Sequence, residues 1–136
     1  MGSILVPVMI FVSFSMPDES LKAWMLQAEK IHAPLVVRGF MHNSLAQTTA
    51  KITALLQEMK AGSGTQAGIQ VNPLLFRKYK IEKVPAVVVE NASSYDVLYG
   101  NTTLAYAFEK IASKNDSVSG YANAALQMLK KSGKQP

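Results

Sequence analysis

The chain has 136 residues and a formal net charge of +5, and apolar residues make up 49% of the sequence. This length suits one domain with a single core, and the apolar content excludes an intrinsically disordered chain. The sequence contains no cysteine, which excludes disulfides, thiolate catalysis and thiolate metal sites.

The first elements are predicted from an apolar run and a pattern of helix-capping residues. Residues 1–3 read as an artificial start, so that any native leader peptide would be missing. The run at 4–14 is shorter than the about 20 residues that span a bilayer, and it predicts a buried strand. Ser15 and Asp18 are expected to form a capping-box pair for the first helix, with Pro17 in its first turn.

The rest of the chain alternates between helix and strand patterns. Alternation that ends in a hairpin predicts a mixed sheet with helices on both faces. The predicted elements are the first helix to Ile31, a strand at 34–40, a helix at about 44–60 capped by Ser44, a strand at 69–71, a short helix capped by Asn72, a strand after Pro85, a hairpin strand at 95–99, a helix capped by Thr102 or Thr103, and a last helix at about 120–131.

Val84 and Pro85 precede the most apolar run of the chain, at 86–89. A proline within a strand-like stretch removes a backbone donor, so it belongs at the first residue of a strand, at an edge or at a bulge. The segment 69–111 resembles thioredoxin in layout. Ser15 and Asp18 stand where that fold carries its two cysteines, and the helix at about 44–60 resembles an insertion.

Three segments in this order resemble the TrbC family of F-type conjugative pilus assembly proteins. They are FVSFSMPDESLKAW (11–24), APLVVRGF (33–40) and NPLLFRKYKIEKVPAVVV (72–89). The resemblance implies a thioredoxin-like three-layer α/β/α sandwich with a mixed sheet and a helical insertion. We expect this domain at 4–113, followed by a C-terminal helix and basic tail at 114–136. The resemblance also implies that the protein is periplasmic, belongs to the type IV secretion system and acts with the assembly protein TraW.

The same resemblance suggests a site for an extended peptide or a partner protein. A cis Val84-Pro85 bond would bring the Val84 backbone to face the turn that precedes the first helix. Main-chain pairing beside apolar pockets is a known mode of peptide recognition. The predicted groove residues are Ser15, Met16, Pro17, Asp18, Val84 and Pro85.

No catalytic group, metal or cofactor is expected. A serine nucleophile needs an adjacent base, and His32 and His42, the only histidines, are both predicted to lie away from Ser15. Their spacing does not match a zinc site.

The sequence therefore favours a non-catalytic scaffold or adaptor that binds pilus assembly proteins. One alternative is a peptide-binding chaperone for an exported subunit such as pilin. Another is a DNA-contacting transfer component, which the net positive charge of the chain suggests. Nucleic acid is not the expected partner, because the aromatic residues fall on apolar stripes and the lysines at 130, 131 and 134 suit a solvated tail.

Overall fold

A computed structural model describes residues 7–59 and 68–133 of the chain. The expected artificial start at 1–3 and the tail residue Lys134 lie outside the described residues. The strands and helices are β1 (Val8–Phe11), α1 (Asp18–Ile31), β2 (Leu35–Val37), a 3-10 turn (Met41–Asn43), α2 (Leu45–Glu58), β3 (Ile69–Val71), α3 (Pro73–Lys78), β4 (Ala86–Glu90), β5 (Tyr95–Tyr99), α4 (Leu104–Ala112) and α5 (Ser119–Gly133).

The strands form one mixed sheet in the order β3-β2-β1-β4-β5. β1, β2 and β3 run parallel, whereas β4 is antiparallel to both β1 and β5. Ile10 of the central strand pairs with Leu35 on one side and with Val87 on the other. The predicted mixed α/β sandwich is confirmed, and its thioredoxin-like character stays a prediction.

Side-chain alternation along β1 divides the core into two clusters, one on each face of the sheet. Ile10 faces the larger cluster, which α1, α4 and α5 cover. Phe11 faces the smaller cluster, which is closed by Phe76 and Tyr79 of the α3 region. Helices therefore cover both faces, and the sheet is buried at its centre.

Helix α5 is part of this domain. Three of its side chains, Ala122, Ala125 and Leu126, are buried in the larger cluster, together with Val118 directly before the helix. The helix packs against both α1 and α4. The sequence pattern had left open whether this helix packs on its own domain, and the structure shows that it does.

Two predicted strands are shorter in the structure. β1 covers Val8–Phe11 rather than 4–14, of which 4–6 lie outside the described residues. The chain leaves the sheet after Val12, because the Met16 amide closes a turn onto the Ser13 carbonyl at 3.0 Å. β2 covers Leu35–Val37 rather than 34–40, since the chain then bends towards α2.

The predicted capping box at α1 is wrong. Pro17 occupies the N-cap and no side chain caps the helix. The Ser15 hydroxyl instead contacts the Ser13 hydroxyl at 2.8 Å, and Asp18 pairs with Lys51 of α2. Both side chains are used elsewhere, because the turn before Pro17 points Ser15 away from the helix start.

The other predicted caps are confirmed. Ser44 accepts a hydrogen bond from the Gln47 amide, Asn72 accepts from the Leu74 and Leu75 amides, and Thr103 accepts from the Tyr106 amide. Each of these residues supplies a side-chain oxygen to the unpaired amides of a first helical turn. Local sequence therefore decides where α2, α3 and α4 begin.

Candidate partner-binding groove

Two adjoining cavities lie where the parallel strands β1 and β2 end. One has a volume of about 230 Å³ and the other about 250 Å³. Ser13, Phe14 and Gly39 line both, so the cavities form one continuous depression, which we call the carboxyl-end groove. Its other lining residues are Val12, Val37, Arg38, Phe76, Glu82 and Val84 in the first cavity and Ser15, Phe40, Met41 and His42 in the second.

Val84 and Ser15 are the two predicted site residues that line this groove. They lie in different cavities, which Ser13, Phe14 and Gly39 connect. The Val84-Pro85 peptide bond is cis. No described residue forms a hydrogen bond with the Val84 backbone.

The other four predicted residues do not line the groove. Met16 packs against the larger core cluster, and its sulfur accepts the Ser13 amide at 3.4 Å. Pro85 is buried, and its carbonyl accepts the Gly100 amide at 3.0 Å. Pro17 is exposed at the N-cap of α1, and Asp18 is held by Lys51.

Arg38 is the main polar group of the groove, and it was not among the residues predicted from the sequence. One guanidinium nitrogen donates to the Ile81 carbonyl at 3.1 Å, and the guanidinium carbon lies 4.9 Å from the centre of the Phe76 ring. These two contacts hold the side chain in place. A guanidinium has five N–H donors, so others remain to meet a carbonyl or carboxylate in the groove. The available signal was its position directly after β2.

The prediction for His42 is wrong, because His42 and Ser15 line the same cavity. His32 lies at the opposite end of α1, as its C-cap. The position of His42 could not be predicted from local sequence, because the 3-10 turn folds back towards β1. Two hydrogen bonds pin this turn, from the Met41 amide to the Thr48 hydroxyl at 2.8 Å and from the Ser44 amide to the Met41 carbonyl at 2.8 Å.

The neighbouring Ser15 and His42 do not form a catalytic pair in this structure. The Ser15 hydroxyl contacts Ser13, and His42 Nδ1 contacts the Gln47 side-chain oxygen at 2.6 Å. A serine nucleophile needs a hydrogen bond to its base and a third group that orients the base. Across residues 7–59 and 68–133, no three acidic or histidine side chains come together as metal ligands.

Residues 10–111 match the model of the TrbC family, the type-F conjugative transfer system pilin assembly proteins. The chain belongs to this family. The matched region ends within α4, so the family model covers the whole groove and leaves α5 outside.

One curated relative is the periplasmic protein TrbC of Escherichia coli (strain K12). It is 36% identical over 106 residues, which cover 78% of this chain and 48% of the relative. The chain therefore spans about half the length of that TrbC protein. No solved structure matches the chain. Among the described helices, none has the length and apolar character needed to cross a membrane.

Proposed function

We propose that this TrbC-family chain is a non-catalytic adaptor of F-type pilus assembly in the periplasm. In this proposal the carboxyl-end groove holds an extended segment of a partner assembly protein, such as one like TraW. The family match supports the role in pilus assembly, and the periplasmic relative supports the compartment. The groove supports binding, because it offers main-chain groups, apolar walls and a held guanidinium.

One observation carries the proposal: Val84, whose backbone no described residue pairs, lines the same cavity as Arg38. An extended segment could pair with Val84 through its main chain and place a carbonyl or carboxylate near Arg38. Val12, Phe14 and Val37 would contact its side chains. The lack of a hydrogen bond between Ser15 and His42 argues against hydrolysis of a bound segment.

Gly39 offers a sharp test. It lines both cavities, and a Cβ added there would meet no atom within 4 Å. The substitution Gly39→Tyr should therefore fill the groove without disturbing the fold. Gly120→Tyr is the matched control, because Gly120 is also exposed with open space around it, on α5.

The test is a pull-down of purified TraW-like partner with the wild-type chain and the two variants. We expect Gly39→Tyr to abolish capture and Gly120→Tyr to retain it, with the same thermal unfolding for both. Equal capture by all three chains would refute the groove as the binding site. Absence of capture by the wild type would refute TraW as the partner.

A chaperone for pilin is the second candidate, and the unpaired Val84 backbone favours it too, because main-chain pairing accepts many sequences. This candidate predicts that the wild type slows aggregation of purified pilin and that Gly39→Tyr does not. An adaptor would capture the assembly partner without any effect on pilin aggregation.

A further inference from the structure

The β5 edge of the sheet has main-chain groups that no described residue pairs. β5 is the last strand in the sheet order and pairs only with β4. The Gly100 amide donates to the Pro85 carbonyl, and the Asn91 amide donates to the Ser94 carbonyl. In an antiparallel ladder, hydrogen-bonded pairs alternate. The backbones of Asp96 and Leu98 therefore face β4, and those of Tyr95, Val97 and Tyr99 face outward.

On one face of the sheet, this edge carries exposed aromatic rings beside lysines. Tyr95 and Tyr99 are 37% and 43% exposed. The Tyr95 ring stands edge-on to Tyr79 with 4.9 Å between centroids, and the Tyr99 hydroxyl donates to the Lys80 carbonyl at 3.3 Å. Lys78 and Lys80 are exposed on this α3 side. The tyrosines are thus held in place, and positive charge lies next to them.

On the other face, helix α4 and the turn after it carry further basic side chains. Tyr106 and Lys110 are spaced four residues apart and so share one side of the helix, and Lys114 follows the C-cap Ser113. The Lys110 ammonium lies 5.9 Å from the centre of the Tyr106 ring. The Lys114 ammonium contacts the Asp96 carboxylate at 3.3 Å, which places the C-terminal end of α4 beside β5.

The charges around the edge are unbalanced. Within the described part of the chain, Lys78, Lys80 and Lys110 have no carboxylate at ion-pairing distance. The acidic side chains nearby are already engaged. Asp96 contacts Lys114, the neighbouring Asp116 accepts from the Val118 amide and the Ser119 hydroxyl, and Glu90 accepts from the Tyr79 hydroxyl. A second copy of this chain would bring these lysines together, whereas an acidic segment would neutralise them.

We propose that the β5 edge takes up an extended, acidic segment of a partner protein as an additional strand. The segment pairs with the outward main-chain groups of Tyr95, Val97 and Tyr99. Its side chains on one face contact the two tyrosine rings, and its carboxylates meet the flanking lysines. This surface is separate from the carboxyl-end groove and does not depend on the function proposed for it.

Short random peptides displayed on phage provide the probe, with binding of the selected peptides measured on the full chain. We expect selection of peptides rich in Asp and Glu that slow hydrogen exchange at the amides of Tyr95, Val97 and Tyr99. Selected peptides that are basic or neutral, or that protect other amides, would overturn the proposal.

Val97→Pro removes an amide that faces away from β4, a position where an edge strand tolerates proline. It should weaken peptide binding by about tenfold or more, while Val97→Ala, which keeps the amide, should change binding much less. The double variant Lys78→Glu, Lys80→Glu should also abolish binding. The matched control is the double variant Lys130→Glu, Lys131→Glu, which reverses two charges that are exposed on α5. If Val97→Pro fails to fold, peptide binding by the two charge-reversal variants tests the proposal instead.

Three further results would each contradict the proposal. The first is loss of peptide binding in Gly39→Tyr, which would move the peptide to the carboxyl-end groove. The second is a dimer that Val97→Pro dissociates, which would make a second copy the occupant. The third is binding of a single-stranded oligonucleotide that requires Lys78 and Lys80 and persists in Val97→Pro, which would assign the lysines to nucleic acid.

Discussion

The Phe76 ring stands perpendicular to the Phe11 ring, with 5.0 Å between their centroids. This contact joins α3 to the central strand, and the opposite partner of Phe76 is the Arg38 guanidinium, 4.9 Å from the ring centre. One aromatic side chain thus closes the smaller core cluster and supports the principal polar group of the groove. Packing and the candidate site are coupled at this residue.

Phe76→Ala should therefore lower the free energy of unfolding by about 3–5 kcal/mol, the usual cost of removing a buried aromatic side chain. Urea denaturation monitored by circular dichroism measures this change. Phe76→Leu is the matched variant, which keeps most of the buried apolar volume and should cost clearly less. A loss of under about 1 kcal/mol in Phe76→Ala would show that the contact contributes little.

The caps lead to a second prediction, which contrasts two serines at helix starts. Ser44→Ala should destabilise the protein by about 1 kcal/mol, because the Gln47 amide loses its side-chain acceptor. Ser15→Ala should leave stability almost unchanged, because Ser15 is exposed and caps no helix. Thermal or urea unfolding of the two variants checks this. Equal losses of stability in the two variants would indicate that Ser15 caps α1, contrary to the structure.

A third prediction concerns pH. Burial raises the pKa of Asp96 above its usual range, the neighbouring Asp116 carboxyl raises it further, and Lys114 acts in the opposite direction. Among the described residues, Asp96 Oδ2 is the one buried side-chain oxygen or nitrogen without a hydrogen-bond partner. A raised folded-state pKa means that the native state binds the proton more tightly than the unfolded state does, so ionisation of Asp96 destabilises the fold as pH rises through this range.

Asp96→Asn removes that ionisation. The stability of this variant relative to the wild type should therefore increase as pH rises from about 3 to about 7, as measured by urea unfolding at each pH. Asp116 provides the contrast, because its interaction with the Asp96 carboxyl lowers its pKa. Asp116→Asn should lose more stability at neutral than at acidic pH. A difference between Asp96→Asn and the wild type that is independent of pH would refute this account.

A fourth prediction tests the role of α5. Ala125 is fully buried and Ala124 is exposed, although the two alanines are adjacent. Ala125→Asp should prevent folding or destabilise the protein severely, because it would bury an unpaired carboxylate. Ala124→Asp should be tolerated within about 0.5 kcal/mol. Similar behaviour of the two variants would mean that α5 does not complete the core.

Much of the fold could be predicted from local patterns. The apolar spacing of α1, the caps at Ser44, Asn72 and Thr103, and the hairpin after Pro85 each depend on a few neighbouring residues. The candidate site was harder to predict. Val84 and Ser15 reach the groove, but Arg38 and His42 were missed or misplaced, because their positions depend on how the chain turns after β2.

By itself, the sequence determined the absence of thiol chemistry, the order of helices and strands, and the membership signalled by three motifs. Periodicity and capping depend on residues that are close in the sequence, and composition needs no structure, so all three can be recognised without the fold. Only the tertiary structure decided that Met16 packs inward, that α5 closes the core, and that the Val97 backbone faces outward. These are contacts between distant segments, and they depend on strand order and packing geometry that no local pattern specifies.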